Sequence, residues 1–160
     1  MKLVCTAPLE WTSGYDYLLV TVRRLLDAGV DVALTIAADG PADQQVRYDI
    51  ADMALGDTVT LTSRASCAAA LAEADLFTLA ALRGQSAGLV REAMAARLPV
   101  VAFDVPGLGQ LVDQTVGALV PRRDTDALVG AIAGLAVDPA VRTALGDRAY
   151  QRESSAANSS

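Results

Sequence analysis

Apolar positions along the chain fall into short runs separated by polar punctuation, and the runs alternate between strand-like and helical spacing. Lys2–Ala7 reads as a strand that begins at once. Pro8–Ser13 is a connection. Gly14–Ala28 carries the clearest helical pattern: Tyr15, Leu18, Leu19, Val22, Leu25 and Leu26 share one face, while Asp16, Arg23, Arg24 and Asp27 lie away from it. Ser13 is its expected cap and Gly29 its stop. Val30–Ala37 is the next strand, Ala38-Asp39-Gly40-Pro41 a turn, and Ala42–Met53 a helix with Val46, Ile50 and Met53 inward. Gly56-Asp57 turns the chain into a strand at Val59–Thr62, and Ser66 opens an alanine-rich helix ending near Ala74.

The stretch Leu79–Asp104, LAALRGQSAGLVREAMAARLPVVAFD, organises the rest. Leu76–Leu79 is a buried strand, and Arg83–Gly88 is a loop with two glycines, a serine and a glutamine. Leu89–Ala96 has helical spacing with Glu92 expected near its first turn, and Leu98–Phe103 is a second buried strand. A turn at Val105–Gly109, a short helix around Gln110–Asp113 and a strand at Gly117–Val120 follow. Two helices close the pattern: Thr125–Leu135, capped by Asp124 or Thr125, and Pro139–Gln151 with proline at its first position. Strands alternating with helices predict right-handed crossovers and a parallel sheet, hence a single doubly wound, Rossmann-like α/β domain over residues 1–152. Residues 153–160 read as a disordered tail. A strand–glycine loop–helix–strand unit is the arrangement that binds anionic groups in such sheets.

Composition changes the picture chiefly by exclusion. The chain's 160 residues suffice for one well-cored domain. There is no histidine, which removes Ser-His-Asp and Cys-His catalysis and most zinc sites. Cys5 and Cys67 stand apart in apolar or alanine-rich segments and read as small buried residues, not a disulfide framework. A net charge of −6 with no basic block argues against nucleic acid and anionic membranes as partners. No run is long enough to span a bilayer and no signal peptide is evident, so the expected location is cytoplasmic. A chain that opens directly on a strand reads as a piece of something longer.

The segment GLVREAMAARLPVVAFDVPGLGQLV, together with LEWTSGYDYLL, ADGP at Ala38–Pro41 and LVPRRDTDALVGAI at Leu119–Ile132, resembles the retaining GT-B glycosyltransferases of family 4, also called group 1. These pieces occur in the family's order, so the resemblance covers roughly Leu3 to Arg152. It implies the C-terminal, nucleotide-sugar-binding half of a GT-B fold, a nucleoside diphosphate sugar as donor, no metal or other cofactor, and a separate N-terminal acceptor-binding half as partner. Without that half the chain is not expected to turn over.

Resemblance also assigns candidate site residues. Glu92 matches the family's second glutamate, which contacts the nucleotide ribose; as a bland alternative it merely favours the helix dipole. Gly88, Leu89 and Val90 would offer helix-start amides to a diphosphate. Gly84 and Gly88 would permit close backbone approach, or simply serve loop geometry. Arg64, after the Val59–Thr62 strand, falls where the family packs its nucleobase, or is a surface residue.

The departures are equally specific. Where the family reads GRLEWKKGY, this chain reads APLEWTSGY, with Pro8 in the arginine position and Thr12 and Ser13 in the lysine positions. Each charge-assisted bond to phosphate is worth roughly 1.5–3 kcal/mol, so losing two weakens diphosphate binding by orders of magnitude. The first glutamate, eight positions before Glu92, is Gly84, or Arg83 with one insertion. Arg83 is thus either a replacement phosphate ligand or a solvated loop arginine. Trp11 is expected to be a packed or partly buried aromatic and not a sugar platform, and Arg122 and Arg123 to be solvated beside Asp124 and Asp126. Gly107-Leu108-Gly109 begins a dinucleotide fingerprint but has Val112 in its third position, so that reading fails. A non-catalytic domain acting in protein–protein interaction is the alternative function.

Overall fold

The computed structural model describes residues 1–158. Six strands form one parallel sheet: β1 (Lys2–Cys5), β2 (Ala33–Ala37), β3 (Val59–Thr62), β4 (Leu76–Leu79), β5 (Val100–Phe103) and β6 (Gly117–Val120). Their order is β3-β2-β1-β4-β5-β6. The helices are α1 (Tyr15–Asp27), α2 (Asp43–Asp52), α3 (Cys67–Glu73), α4 (Ala87–Ala95), α5 (Thr125–Ala136) and α6 (Pro139–Asn158). α1 packs beside α2 and α5, and α4 beside α6, so helices cover the sheet. β4 and β5 are buried along their whole length, as strands covered on both faces must be. Phe77, Phe103, Leu3, Leu18, Leu19 and Leu34 anchor the core. The doubly wound expectation therefore holds.

The expected inward face of α1 is also observed, with Leu26 only half-buried and Thr21 buried as well, its hydroxyl donating to Tyr17 O at 2.8 Å. Gly29, at φ 81°, ends the helix. Three local expectations change. Ser13 does not cap α1: Gly14 occupies that position in a left-handed conformation, φ 67°, and Ser13 donates instead to Pro8 O at 2.6 Å. A Cβ on Gly14 would collide with the Ala80 carbonyl at the end of β4, so close backbone approach demands glycine here. The stretch Gln110–Asp113 is no helix. It forms hydrogen-bonded turns, Leu111 and Val112 both donating to Leu108 O, before Asp113 captures the Thr115 amide at 2.9 Å. Finally, residues 153–158 are not a disordered tail: α6 runs through Asn158, because small and helix-permissive residues continue its last turns. Residues 159–160 of that expected tail lie outside the described residues. Among the described residues no single helix is long and apolar enough to cross a membrane.

Candidate nucleotide-sugar crevice

β1 and β4 are neighbours whose chains leave in opposite directions, β1 toward β2 and β4 toward β5. Such a switch point leaves a crevice outside the carboxyl ends of the strands. Here it is a cleft of about 460 Å³, lined by Pro8, Glu10, Thr12 and Ser13 from the β1 loop, and Arg83, Gly84, Gln85, Ser86 and Leu89 from the β4 loop and α4.

Both walls are tied down. The β1 loop is held to the β2 turn by Leu9 N–H to Asp39 O (3.0 Å) and Ala42 N–H to Leu9 O (2.8 Å). From beneath, the Tyr15 hydroxyl donates to Ala7 O, with Cys5 Sγ at 3.6 Å. Burial pushes both the Cys5 thiol and the Tyr15 hydroxyl up, so both stay protonated at neutral pH. Opposite, Leu82 N–H donates to Thr12 O at 2.8 Å, and Arg122 donates to Leu82 O at 3.0 Å. Arg122 is exposed, as expected, and its guanidinium in addition clamps the β4 loop. Gln85 holds φ 79°, a left-handed conformation that costs a non-glycine residue roughly 1–2 kcal/mol.

α4 begins at Ala87, earlier than expected, so Glu92 sits in its second turn. That shift changes which amides face outward. Val90 N–H already donates to Ser86 O at 3.1 Å and Val90 is buried, so Val90 offers no amide to a ligand. The unclosed amides at the helix start are those of Ala87, Gly88 and Leu89. A Cβ on Gly88 would meet open space, whereas one on Gly84 would crowd Pro106 O at 3.2 Å. The glycine at position 84 thus serves loop packing, and that at position 88 is demanded by no neighbour.

Ser86, which the sequence reading passed over, is the N-cap residue of α4. It is only 6% exposed, lines the cleft and makes no side-chain capping bond. Its place just before a helical apolar pattern is a recognisable cap signal.

Arg83 also lines the cleft, and among the described residues it enters no ion pair. Its Cζ lies 5.0 Å from the ring centroid of Trp11, a contact worth about 0.5–1 kcal/mol at an exposed site. Trp11 is 69% exposed, contrary to the expectation of a packed or partly buried ring; it belongs to a short 3₁₀ turn at Trp11–Ser13.

Glu92 and Arg64 meet each other at 3.3 Å, both about half-exposed. Arg64 further donates to Cys67 Sγ at 3.1 Å, and its amide donates to Asp39 Oδ1 at 3.2 Å. Arg64 borders a hollow with Thr6, Pro8, Asp39 and Leu89 that adjoins the main cleft through Pro8 and Leu89. The structure therefore unites Arg83, Gly84 and Leu89 in the cleft; Arg64 borders the adjoining hollow, and Glu92, paired with it, lines a separate hollow between α3 and α4. No sequence signal announced their pairing.

A doubly wound domain with an anion-favouring helix start at its switch point is the architecture of the C-terminal Rossmann-like domain of GT-B glycosyltransferases. The family described as "Glycosyl transferases group 1" matches residues 1–138, and the chain belongs to it. Among curated relatives it is 30% identical over 140 residues to alpha-D-kanosaminyltransferase of Streptomyces kanamyceticus, covering 85% of this chain and 36% of that protein. It is 33% identical over 150 residues to phosphatidyl-myo-inositol mannosyltransferase of Mycolicibacterium smegmatis, covering 89% and 38%. The chain thus spans little more than a third of the length of these relatives. Among solved structures, Anabaena Alr3699/HepE in complex with UDP and glucose superposes with a TM-score of 0.85 at 20% identity, over 96% of this chain and 43% of that one. The C-terminal domain of the group 1 protein LpcC from Francisella tularensis gives 0.80 at 15% identity, over 94% and 82%.

Proposed function

We propose that this domain binds the donor of a retaining glycosyl transfer, taking a nucleoside diphosphate sugar into the β1–β4 crevice, with an acceptor-binding half supplied by another domain or chain. The observation that carries this reading is the convergence of Arg83, Ser86 with its uncommitted hydroxyl, and Leu89 at the start of α4 around one cleft. A helix N-terminus favours an anion, and an unpaired guanidinium beside it adds the charge that Pro8, Thr12 and Ser13 no longer provide. In the transfer, the bond from the anomeric carbon to the diphosphate oxygen breaks, and that oxygen leaves with the electron pair. The acceptor hydroxyl joins the same face, and its proton passes to the departing diphosphate oxygen. The part of this chain is to hold the donor and meet the charge that develops on the leaving diphosphate. Glu92 takes the ribose hydroxyls, and Arg64 lies beside the base. The UDP held by a neighbour of the same fold supports the assignment.

A second reading, a non-catalytic relative kept for protein–protein interaction, draws on the cleft's other wall. Pro8, Glu10, Thr12 and Ser13 line it without a cation, and the Ser13 hydroxyl is already committed to Pro8 O. Calorimetric titration with UDP, GDP and ADP, at low and moderate salt, separates the two. Saturable binding of one nucleotide is expected; no heat at millimolar nucleotide would leave the second reading standing.

A further inference from the structure

Arg83 and Trp11 come from opposite walls of the crevice, one from the β4 loop and one from the β1 loop. The backbone on both sides of their contact is held: Leu82 is pinned by Thr12 O and by Arg122, and Gly14 is pressed against Ala80. What freedom remains at Arg83 is in its side chain. An arginine side chain has many rotamers to lose on binding, and the loss is smaller when its plane is held in advance. Stacking on an aromatic ring uses the flat face of the guanidinium and leaves its N–H edge open. The ring that does the holding is 69% exposed, is the chain's single tryptophan, and does not itself line the cleft.

We infer that Trp11 is a positioning residue for anion binding: it holds the Arg83 guanidinium at the cleft with its N–H edge presented to a diphosphate. This rests on the donor-site reading above and adds a residue and a role to it. Trp11 itself need touch no phosphate. Its contribution passes through Arg83, so the two residues must be energetically coupled, and that coupling is what a purely structural tryptophan would lack.

The test is a double-mutant cycle on the whole chain, titrated with UDP and with inorganic pyrophosphate at two salt concentrations. Arg83→Ala is expected to weaken both probes about ten- to a hundredfold and to make binding less salt-dependent. Trp11→Ala is expected to weaken both about two- to fivefold with the salt dependence unchanged, because the charge remains. Trp11→Phe, which keeps a ring face, should stay close to the native affinity. In the Arg83→Ala background, removing Trp11 should have no further effect. The inference is overturned if Trp11→Ala leaves affinity unchanged, or if its loss is the same with and without Arg83. A chain that binds UDP but shows no coupling retains the donor site and loses only the role of Trp11. A chain that binds neither probe loses both.

Discussion

Two arginines mark the two ends of the crevice, and their surroundings are opposite. Arg64 is satisfied: its guanidinium meets Glu92 at 3.3 Å and Cys67 Sγ at 3.1 Å, and its amide meets Asp39. Arg83 has no anion and rests on an exposed ring. A paired guanidinium must break a contact before it can receive an anion; an unpaired one gains the full interaction. Exposed pairs such as Arg64–Glu92 contribute only about 0.2–1 kcal/mol, so the cost of opening the pair is small, but it leaves that end less ready than Arg83 to take up an anion. The end marked by Arg83 is where negative charge is best met. On the proposed function, the charge absent at Pro8, Thr12 and Ser13 comes from the facing loop, not from their own.

The largest change would break both ends together. Gly14→Ala places a Cβ against the Ala80 carbonyl at a left-handed φ of 67°. It should cost roughly 2–4 kcal/mol, the sum of a left-handed alanine and a backbone clash, read as a lower thermal unfolding midpoint. Unchanged stability would mean that the two loops are not coupled at this contact. A smaller change divides the ends. Glu92→Ala removes the expected ribose contact and frees Arg64, so UDP affinity should fall about tenfold or more while pyrophosphate affinity stays level or rises. Equal losses for both ligands in calorimetry would show that the two ends do not act separately. The smallest change leaves the comparison untouched. Asp113 is held at about 2, below the usual carboxylate range, chiefly by hydrogen bonds from the Thr115 hydroxyl and amide and then by Arg152. Because its folded value lies below its unfolded one, the stability it lends is present above about pH 4 and is lost as pH falls toward 2. Asp113→Asn should flatten the acid limb of the stability profile in that window, measured by denaturant unfolding, without altering nucleotide affinity at neutral pH.

Much of the site's framework was legible in the chain. The glycine loop before α4, the LEWTSGY segment and the ADGP turn all lie where an anion-binding crevice needs them. Their roles in holding the β1 loop became visible only through the Leu9–Asp39 and Leu9–Ala42 hydrogen bonds. Glu92 was correctly placed on the helix after the loop but in its first turn instead of its second, because helix starts depend on capping details and Ser86 was not recognised as the cap position. That single misplacement also put Val90 among the free amides. Trp11 was expected to be packed or partly buried because tryptophan usually is, yet on a three-residue turn it stays exposed, with the Arg83 guanidinium over its ring.

What the sequence by itself determined is the local alphabet: which runs are strands, which are helices, where glycine and proline break them, and hence a doubly wound parallel sheet. Those are short-range properties, set by side-chain period and backbone preference. Tertiary structure alone decided which charges meet. Arg64 reaches Glu92, Arg122 reaches Leu82 O, and Arg83 comes to rest on Trp11 only because the strand order brings β1 beside β4 and lays their loops face to face. Electrostatic and aromatic contacts act through space, and the space is made by the sheet's reversal of direction, which no single segment encodes.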